Sequence, residues 1–326
     1  LNIAKDSSFA MMEASQNKGH IITAIHASDI SYDNFNVKAL CHQITLLRDD
    51  KRWYKIEASE TRLLKEFDIV MLRKDPPVNT EYFYLTYLLE LAEIQGAKIL
   101  NKPSAIRNNN EKLSILKFPE LIPPTTVTRN ADDIRRFIGL HGEVILKPLD
   151  GMGGTSIFKI TPSDPNTNVI VETITQHETR TIMVQKFLPE IQFGDKRVLL
   201  IDGEPIPFAL ARIPRKGEVR GNLAAGGKGV AMVLSAEELK IASAVGAEAS
   251  KNGLFLVGLD IIGSRLTEIN VTCPTCMREI AEQTDREIEQ RAVRSHGLAR
   301  ELDDDLREQS RNRQRVALNL RDQLRS

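Results

Sequence analysis

The amino-acid sequence predicts an α/β unit with a parallel sheet at the amino end and α+β units after it. Three observations carry this. Residues 1–110 alternate short apolar strands with stretches of helical apolar spacing, the order that builds a parallel sheet. A strand at 144–146 runs into a glycine-rich tip, and a second strand at 156–160 returns from it as a hairpin. Far downstream, strands 254–262 and 266–271 flank Gly263 and Ser264 as another hairpin.

In chain order, residues 9–17 read as a helix stopped at Gly19, and 21–25 as a β-branched strand. Residues 68–73 form an apolar strand closed by Arg73. Residues 81–95 carry apolar side chains at helical spacing up to Gly96, and 98–101 form a strand closed by Asn101. Polar residues at the carboxyl ends of parallel strands tend to face a ligand crevice, so Arg73 and Asn101 are expected there. A connector at Pro123 and Pro124 leads to a helix, 132–138, the first hairpin, and a strand, 181–187, closed by Leu188 and Pro189. Strands 196–201 and 207–213 follow, then a glycine-rich loop to 229, a helix over 236–251 and the second hairpin. The domains suggested are 1–111, 112–190 and 191–280, the last with a mobile loop at 213–229, and an atypical Arg-rich helical tail at 281–326. That tail has ten arginines and no lysine. Leu298, Leu302 and Leu306 recur at i+4, as do Val316, Leu320 and Leu324, the spacing of an amphipathic helix or helical hairpin.

With 326 residues the chain is long enough for two or three domains and a substantial core. Apolar residues make up 41%, charged residues 27%, and the formal net charge is zero. A dedicated nucleic-acid binder shows a basic excess, so this balance argues against that class. No apolar run reaches the length of a membrane span; the most apolar stretch is ended by Asp260. No signal peptide is visible, and the first residue is Leu1, so an initial segment is expected to be missing. Cys41, Cys273 and Cys276 are an odd set in a long chain, which fits a reducing, cytoplasmic setting. The six histidines are scattered and read as surface or structural residues.

Chemistry concentrates at four places. Lys147 opens the run Pro148-Leu149-Asp150-Gly151-Met152-Gly153-Gly154. Glycines let backbone N–H groups approach phosphate oxygens closely, and the lysine adds positive charge at the base of the loop. The spacing is neither a P-loop nor a dinucleotide fingerprint, and taken alone it reads as a tight hairpin. Glu268 and Asn270 stand two apart on a strand and share a face; Asp260, on the preceding strand, can meet them across the hairpin. Two carboxylates and an amide are the hard oxygen donors that Mg²⁺ takes when phosphates complete its shell. Apolar neighbours (Ile261, Ile262, Leu266, Ile269, Val271) argue against a solvated edge, since a buried carboxylate needs a partner. Together the two features suggest ATP chemistry. Arg215, Lys216, Arg220 and Lys228, preceded by Arg212, sit in a small-residue loop that reads as a cationic lid able to exclude water. Cys273-Pro274-Thr275-Cys276 has C-x-x-C spacing, but zinc needs four ligands and the setting is not that of a redox helix. The turn at Pro274 and Thr275 reads instead as a substrate contact.

These segments resemble the bacterial glutathione synthetases of the ATP-grasp superfamily. The likeness rests on Lys5-Asp6-Ser7-Ser8-Phe9-Ala10-Met11, Met71-Leu72-Arg73-Lys74-Asp75-Pro76-Pro77, Asn101-Lys102-Pro103, Asn110-Glu111-Lys112-Leu113, the Lys147 loop and Asp195-Lys196-Arg197. It continues through Leu210-Ala211-Arg212-Ile213-Pro214, Arg220-Gly221-Asn222-Leu223 and the strands bearing Asp260 and Glu268, covering roughly residues 1–280. The resemblance implies an ATP-grasp fold behind an N-terminal Rossmann-like (pre-ATP-grasp) domain. It implies that Lys112 and Lys147 bind ATP and that Gly151, Met152, Gly153 and Gly154 cover its phosphates. Gln185, Lys186, Phe187 and Leu188 would form the adenine-side connector, and Asp195 would meet the ribose. Asp260, Glu268 and Asn270 would hold Mg²⁺ or Mn²⁺, and Arg197, Arg212 and Arg220 would stabilise phosphoryl transfer. Asp6, Ser7, Arg73, Asn222, Pro274 and Thr275 would lie toward the peptide. The implied partners are ATP, γ-glutamylcysteine and glycine, with no nucleic acid and no membrane, in a homo-oligomer that is a tetramer by resemblance.

Two departures stand out. The family begins with a buried strand ahead of Lys5 that this sequence lacks, so the first sheet is expected to expose an edge and the N-terminal domain to be weakened. After Arg278-Glu279-Ile280 the family continues with a helix that the Arg-rich tail does not match, and we read the tail as a frame shift or a fusion. Two other readings compete. One is another ATP-grasp peptide ligase, of the D-alanine–D-alanine or ribosomal-protein glutamate type. The other is an ATP-binding homologue impaired in catalysis by its altered ends. Arg73-Lys74-Asp75-Pro76-Pro77 and the long lid favour the glutathione-forming reading, and the intact Asp260, Glu268 and Asn270 set disfavours the impaired one.

Overall fold

Asp6 opens the first helix, α1 (Ser7–Asn17), by accepting the Phe9 N–H at 2.7 Å, the cap a short acidic side chain supplies. The structure is a computed structural model that describes residues 2–49, 51–215, 217–218, 221, 223, 226–284, 288–294 and 315–320. After α1 come β1 (Ile21–Asp33), β2 (Asn36–Leu46) and β3 (Tyr54–Leu63), an antiparallel meander. Asn34 and Phe35, at φ 47° and 64°, make the tight turn between the first two, where both central residues must be left-handed to match the strand twist. Then follow β4 (Ile69–Leu72), α2 (Thr80–Ile94), β5 (Ile99–Leu100) and α3 (Pro103–Asn108). The sequence reading does not anticipate β2 and β3. Most of β3 is exposed and polar, so pairing with β2 holds it rather than an apolar period.

The middle of the chain supplies β6 (Thr125–Thr128), α4 (Ala131–His141), β7 (Val144–Pro148), β8 (Phe158–Ile160), α5 (Thr167–Ile174) and β9 (Ile182–Lys186). The strands order as β6-β9-β7-β8, and Ile134, Ile138, Val171 and Ile174 of the two helices share one core with Leu146 and Val184.

The third unit holds β10 (Asp195–Ile201), β11 (Glu204–Ile213), β12 (Lys228–Val233), α6 (Ala236–Lys251), β13 (Leu256–Ile262) and β14 (Arg265–Asn270). Its sheet is antiparallel, in the order β12-β11-β10-β13-β14. Helix α6 spans the residues its pattern predicts, and Ser235 and Glu238 close its first turn as a reciprocal capping box. It lies hard against the β10–β11 turn: a Cβ at Gly246 would sit 1.9 Å from the Gly203 carbonyl oxygen. Gly246→Ala is therefore expected to lower the thermal midpoint. Alanine gains up to about 1 kcal/mol in helix propensity, but overpacking of this kind costs about 1–3 kcal/mol, occasionally more. Scanning calorimetry decides; an unchanged or raised midpoint would mean that α6 does not bear on the turn.

The chain ends in α7 (Met277–Thr284), α8 (Ile288–Arg294) and β15 (Arg315–Leu320). Here the structure corrects the helical reading of the tail. Among the described residues two helices are present, but Val316 and Leu320 lie on a strand, and β15 runs parallel between β1 and β4 in the sheet β3-β2-β1-β15-β4-β5. The expected exposed edge is not there. Val316 and Ala317 are 4% and 0% exposed. The first joins the core of α1 and α8, the second the core of α2. Burial on both faces of a sheet outweighs an i+4 pattern that gives a lone helix nothing to pack on. Leu298, Leu302, Leu306 and Leu324 fall outside the described residues.

Candidate active site

A cavity of about 320 Å³ opens between the β7–β8 hairpin and the sheet that carries β10, β11, β13 and β14. Its floor is set by strand register. Arg197 pairs with Asp260 across β10 and β13, and Asp195 pairs with Arg212 across β10 and β11. Cross-strand neighbours project to the same face, so the four charges converge. Arg197 Nε donates to Asp260 Oδ1 at 2.6 Å and its Nη2 to Oδ2 at 3.2 Å. Arg212 Nη2 reaches Asp260 Oδ2 at 2.9 Å and Asp195 Oδ2 at 2.5 Å. Burial opposes charge on Asp260, but the two guanidinium groups outweigh it and hold its carboxyl well below the usual carboxylate range.

Asp195 goes the other way. Burial, with Asp260 adding to it against the pull of Arg212, pushes its carboxyl up to about 6. Its Oδ1 is buried and has no hydrogen-bond partner among the described residues, and the residue lines the cavity. The folded chain thus keeps a proton up to about pH 6 that the unfolded chain loses near 3.8. Between those values the folded state binds the extra proton, so stability falls as pH rises through the window. Asp195→Asn is expected to flatten that decline, read as thermal midpoints at about pH 4 and about pH 6.5. An equally steep decline in the variant would refute the assignment.

Opposite the floor, Lys112 and Lys147 are both buried. Lys112 Nζ donates to Gly151 O at 2.7 Å and Glu268 Oε1 at 3.1 Å, while Lys147 Nζ reaches Thr267 O at 3.3 Å. Burial lowers the Lys147 pKa, with Glu268 pulling against it. Gly153 and Gly154 take φ 62° and 81°, so the hairpin tip needs residues without a Cβ. Gly151, Met152, Gly153 and Gly154 line the cavity, as do Gln185, Lys186, Phe187 and Leu188 at the end of β9. The Lys186 and Phe187 N–H groups are engaged by the Pro124 and Glu143 carbonyls.

Asp260 and Glu268 stand directly across from each other on β13 and β14, and Asn270 pairs with Gly258 one step along. Like charges directly opposite destabilise a sheet. The guanidinium pair offsets Asp260, and Lys112 offsets Glu268. All three residues line the cavity, and as hard oxygen donors they fit a divalent cation whose remaining shell comes from a ligand.

The residues expected on the peptide side are arranged differently from one another. Thr275 lines the cavity. Arg73 is buried and ties two segments together: Nε donates to Ser8 Oγ at 3.1 Å and Nη2 to Pro274 O at 2.8 Å. Ser7 Oγ accepts the Met277 N–H at 3.2 Å, and Asp6 caps α1. Asn101 does not face the crevice. Its side chain binds Leu256 and Val271 carbonyls at 2.9 Å each and accepts the Phe255 and Leu256 N–H groups, bolting β5 to β13. Arg220 and Asn222 lie outside the described residues, as does Lys216; Gly221 and Leu223 of the same loop line the cavity. Cys273 Sγ donates to Arg73 O at 3.5 Å, and Cys276 Sγ lies beside Thr275 Oγ1. The sequence reading gives Glu111 no role. Its carboxylate accepts from Val271 N, Thr272 N and Thr272 Oγ1 at 2.8–3.1 Å, clamping the end of β14 at the cavity wall. The signal available was its place beside Lys112 in an Asn-Glu-Lys run.

Comparison with known proteins places this geometry. The model for "Prokaryotic glutathione synthetase, N-terminal domain" matches residues 1–107, and the model for "Prokaryotic glutathione synthetase, ATP-grasp domain" matches residues 111–285. The chain belongs to the prokaryotic glutathione synthetase family. A glutathione synthetase of Shewanella oneidensis is 51% identical over 288 residues, covering 88% of this chain and 91% of its own length. One of Nitrosomonas europaea is 53% identical over 287 residues, covering 87% and 90%. Among solved structures, a RiPP-associated ATP-grasp ligase of Chryseobacterium gregarium, in complex with ADP and a leader and core peptide, aligns with a TM-score of 0.57 at 15% identity over 87% of this chain and 91% of its own. A RimK domain ATP-grasp protein of Sphaerobacter thermophilus aligns at 0.55 and 13% identity over 88% and 94%. At such identities the likeness is one of fold, and the fold is ATP-grasp.

Proposed function

We propose that the chain is an ATP-dependent carboxylate–amine ligase that joins γ-glutamylcysteine to glycine, giving glutathione, ADP and phosphate. The observation that carries this reading is a single cavity in which the Lys147 hairpin faces Asp260, Glu268 and Asn270. A carboxylate does not react with an amine, because oxide is a poor leaving group. Transfer of the γ-phosphoryl group of ATP to the peptide carboxylate gives an acyl phosphate; the glycine amine attacks its carbonyl carbon, and phosphate leaves with the C–O bond. Such transfers ask the protein mainly to position groups and offset charge.

Lys112 and Lys147 would hold the nucleotide phosphates under the Gly151, Gly153 and Gly154 tip, and Asp195 Oδ1, which lacks a partner among the described residues, would accept from a ribose hydroxyl. The base would sit against Gln185, Lys186, Phe187 and Leu188. Asp260, Glu268 and Asn270 would hold Mg²⁺ or Mn²⁺, which when bound would neutralise phosphate charge. Arg197 and Arg212, fixed by Asp260, would present positive charge to the group in transfer. Arg220 and Asn222 would act with them, in a loop that would exclude water from the acyl phosphate. Arg73, Asp6, Ser7, Pro274 and Thr275 would shape the peptide side. We also expect a homo-tetramer, which sedimentation measures.

The test is the purified chain with ATP, Mg²⁺, γ-glutamylcysteine and glycine. Phosphate release that requires both glycine and the dipeptide, with glutathione formed in step, is the expected result. ATP binding with no glycine-dependent release would overturn the reading.

A further inference from the structure

β15 occupies a position that the proposed chemistry does not explain. Its residues pair in parallel with residues 21–26 of β1 on one side and with Ile69–Leu72 on the other. β1 and β4 do not pair with each other, so β15 alone joins a three-stranded piece of sheet to a two-stranded piece. Adjacent strands lie about 4.8 Å apart, which puts β1 and β4 roughly 9.6 Å from each other. The slot is lined by buried residues: Ile22, Ala24 and Ile25 on β1, Val70 and Leu72 on β4. Emptied, it would leave two rows of backbone N–H and C=O groups unpaired in a dry interior.

The sheet cannot heal that gap cheaply. Sliding β4 against β1 would move it by one strand spacing, about 4.8 Å. Arg73 follows β4 directly, and its bonds to Ser8 Oγ and Pro274 O, at 3.1 and 2.8 Å, would break in such a shift. The occupant therefore spaces β4 so that Arg73 meets both α1 and the Pro274 turn. A parallel strand in the middle of a sheet is buried on both faces and calls for consecutive apolar residues. Val316 and Ala317 meet that demand from opposite faces.

We propose that the slot between β1 and β4 is a strand-acceptor site whose occupant is this chain's own segment Arg315–Leu320, and that its occupation holds Arg73 in place on the peptide side of the cavity. The link to the peptide rests on the ligase reading; the strand insertion does not.

Hydrogen exchange on the full, unmodified chain is the first test. The amides of residues 316–319 are expected to be protected to within about tenfold of those of residues 22–25, because they share one cooperative unit. That protection should not depend on protein concentration. Exchange at the rate of an unstructured peptide would overturn the proposal, and so would protection lost on dilution, which would make the donor a second copy. The second test is Ala317→Asp, which sets a charge at a position that is 0% exposed. Amide protection in both β1 and β4 should fall by about a hundredfold or more, since local opening exposes both edges. KM for γ-glutamylcysteine should rise about tenfold while ATP affinity stays within about threefold, because the nucleotide wall lies on other sheets. Wild-type protection in this variant would overturn the proposal. A chain that makes no glutathione but protects its tail amides would sink the ligase reading and leave the strand assignment standing.

Discussion

Asp260→Asn is expected to lower kcat by about 10²–10³-fold or more and stability by about 3–5 kcal/mol. Both effects have one cause. Asp260 carries the negative charge that Arg197 and Arg212 share, with three contacts between 2.6 and 3.2 Å in a fully buried cluster. Asparagine keeps the shape but offers one neutral acceptor, leaving two buried guanidinium groups with Asp195 as the nearest anion. Losing the Asp260 charge lets Asp195 ionise more readily, but one carboxylate then faces two guanidinium groups that previously shared two. The same change removes a carboxylate from the set with Glu268 and Asn270. The two losses separate by measurement. The thermal midpoint without ligand reports the ion cluster, and the further rise on adding ATP with Mg²⁺ reports nucleotide–metal binding. A variant that turns over at the wild-type rate would remove Asp260 from the chemistry.

Lys147→Met is expected to weaken ATP binding by about 2–4 kcal/mol, roughly 30- to 1,000-fold in Kd, while leaving the free protein as stable as before or more stable. The opposite signs follow from burial. Lys147 is 8% exposed, makes one hydrogen bond among the described residues, a long one to Thr267 O at 3.3 Å, and burial lowers its pKa. Holding that charge without a full partner is costly, and an isosteric apolar side chain relieves the cost. A triphosphate would supply the missing anion. Calorimetric titration gives the Kd and scanning calorimetry the midpoint. Unchanged ATP affinity would sever Lys147 from the phosphates; a large drop in stability would make it structural.

Much of the site is legible in the sequence because strand chemistry is local. Two residues apart on a strand means one face, so Glu268 and Asn270 align without tertiary information. The glycine tip needs positive φ wherever it sits, and α6 needs only its own cap and period. Other elements depend on partners far along the chain. β3 shows no apolar alternation because one side of it is open, and only β2 fixes it. Asn101 has the look of a crevice residue, being polar after an apolar strand, yet four backbone groups more than 150 residues away claim it. Glu111 has no local signature for a clamp whose three donors lie on residues 271 and 272.

Residue order alone already carries the alternation of strands and helices, the grouping of a lysine-led glycine loop and of Asp260, Glu268 and Asn270 as candidate sets, and, through resemblance, the family. These follow from periodicity and side-chain chemistry, which each short segment carries with it. The assembled fold supplied what distant partners control, as two further cases show. It set Arg197 and Arg212 on either side of Asp260, because register between β10, β11 and β13 is a property of the assembled sheet. It also turned Val316 and Ala317 into the middle of the first sheet, where two flanking strands and two buried faces outweigh the spacing that reads as a helix.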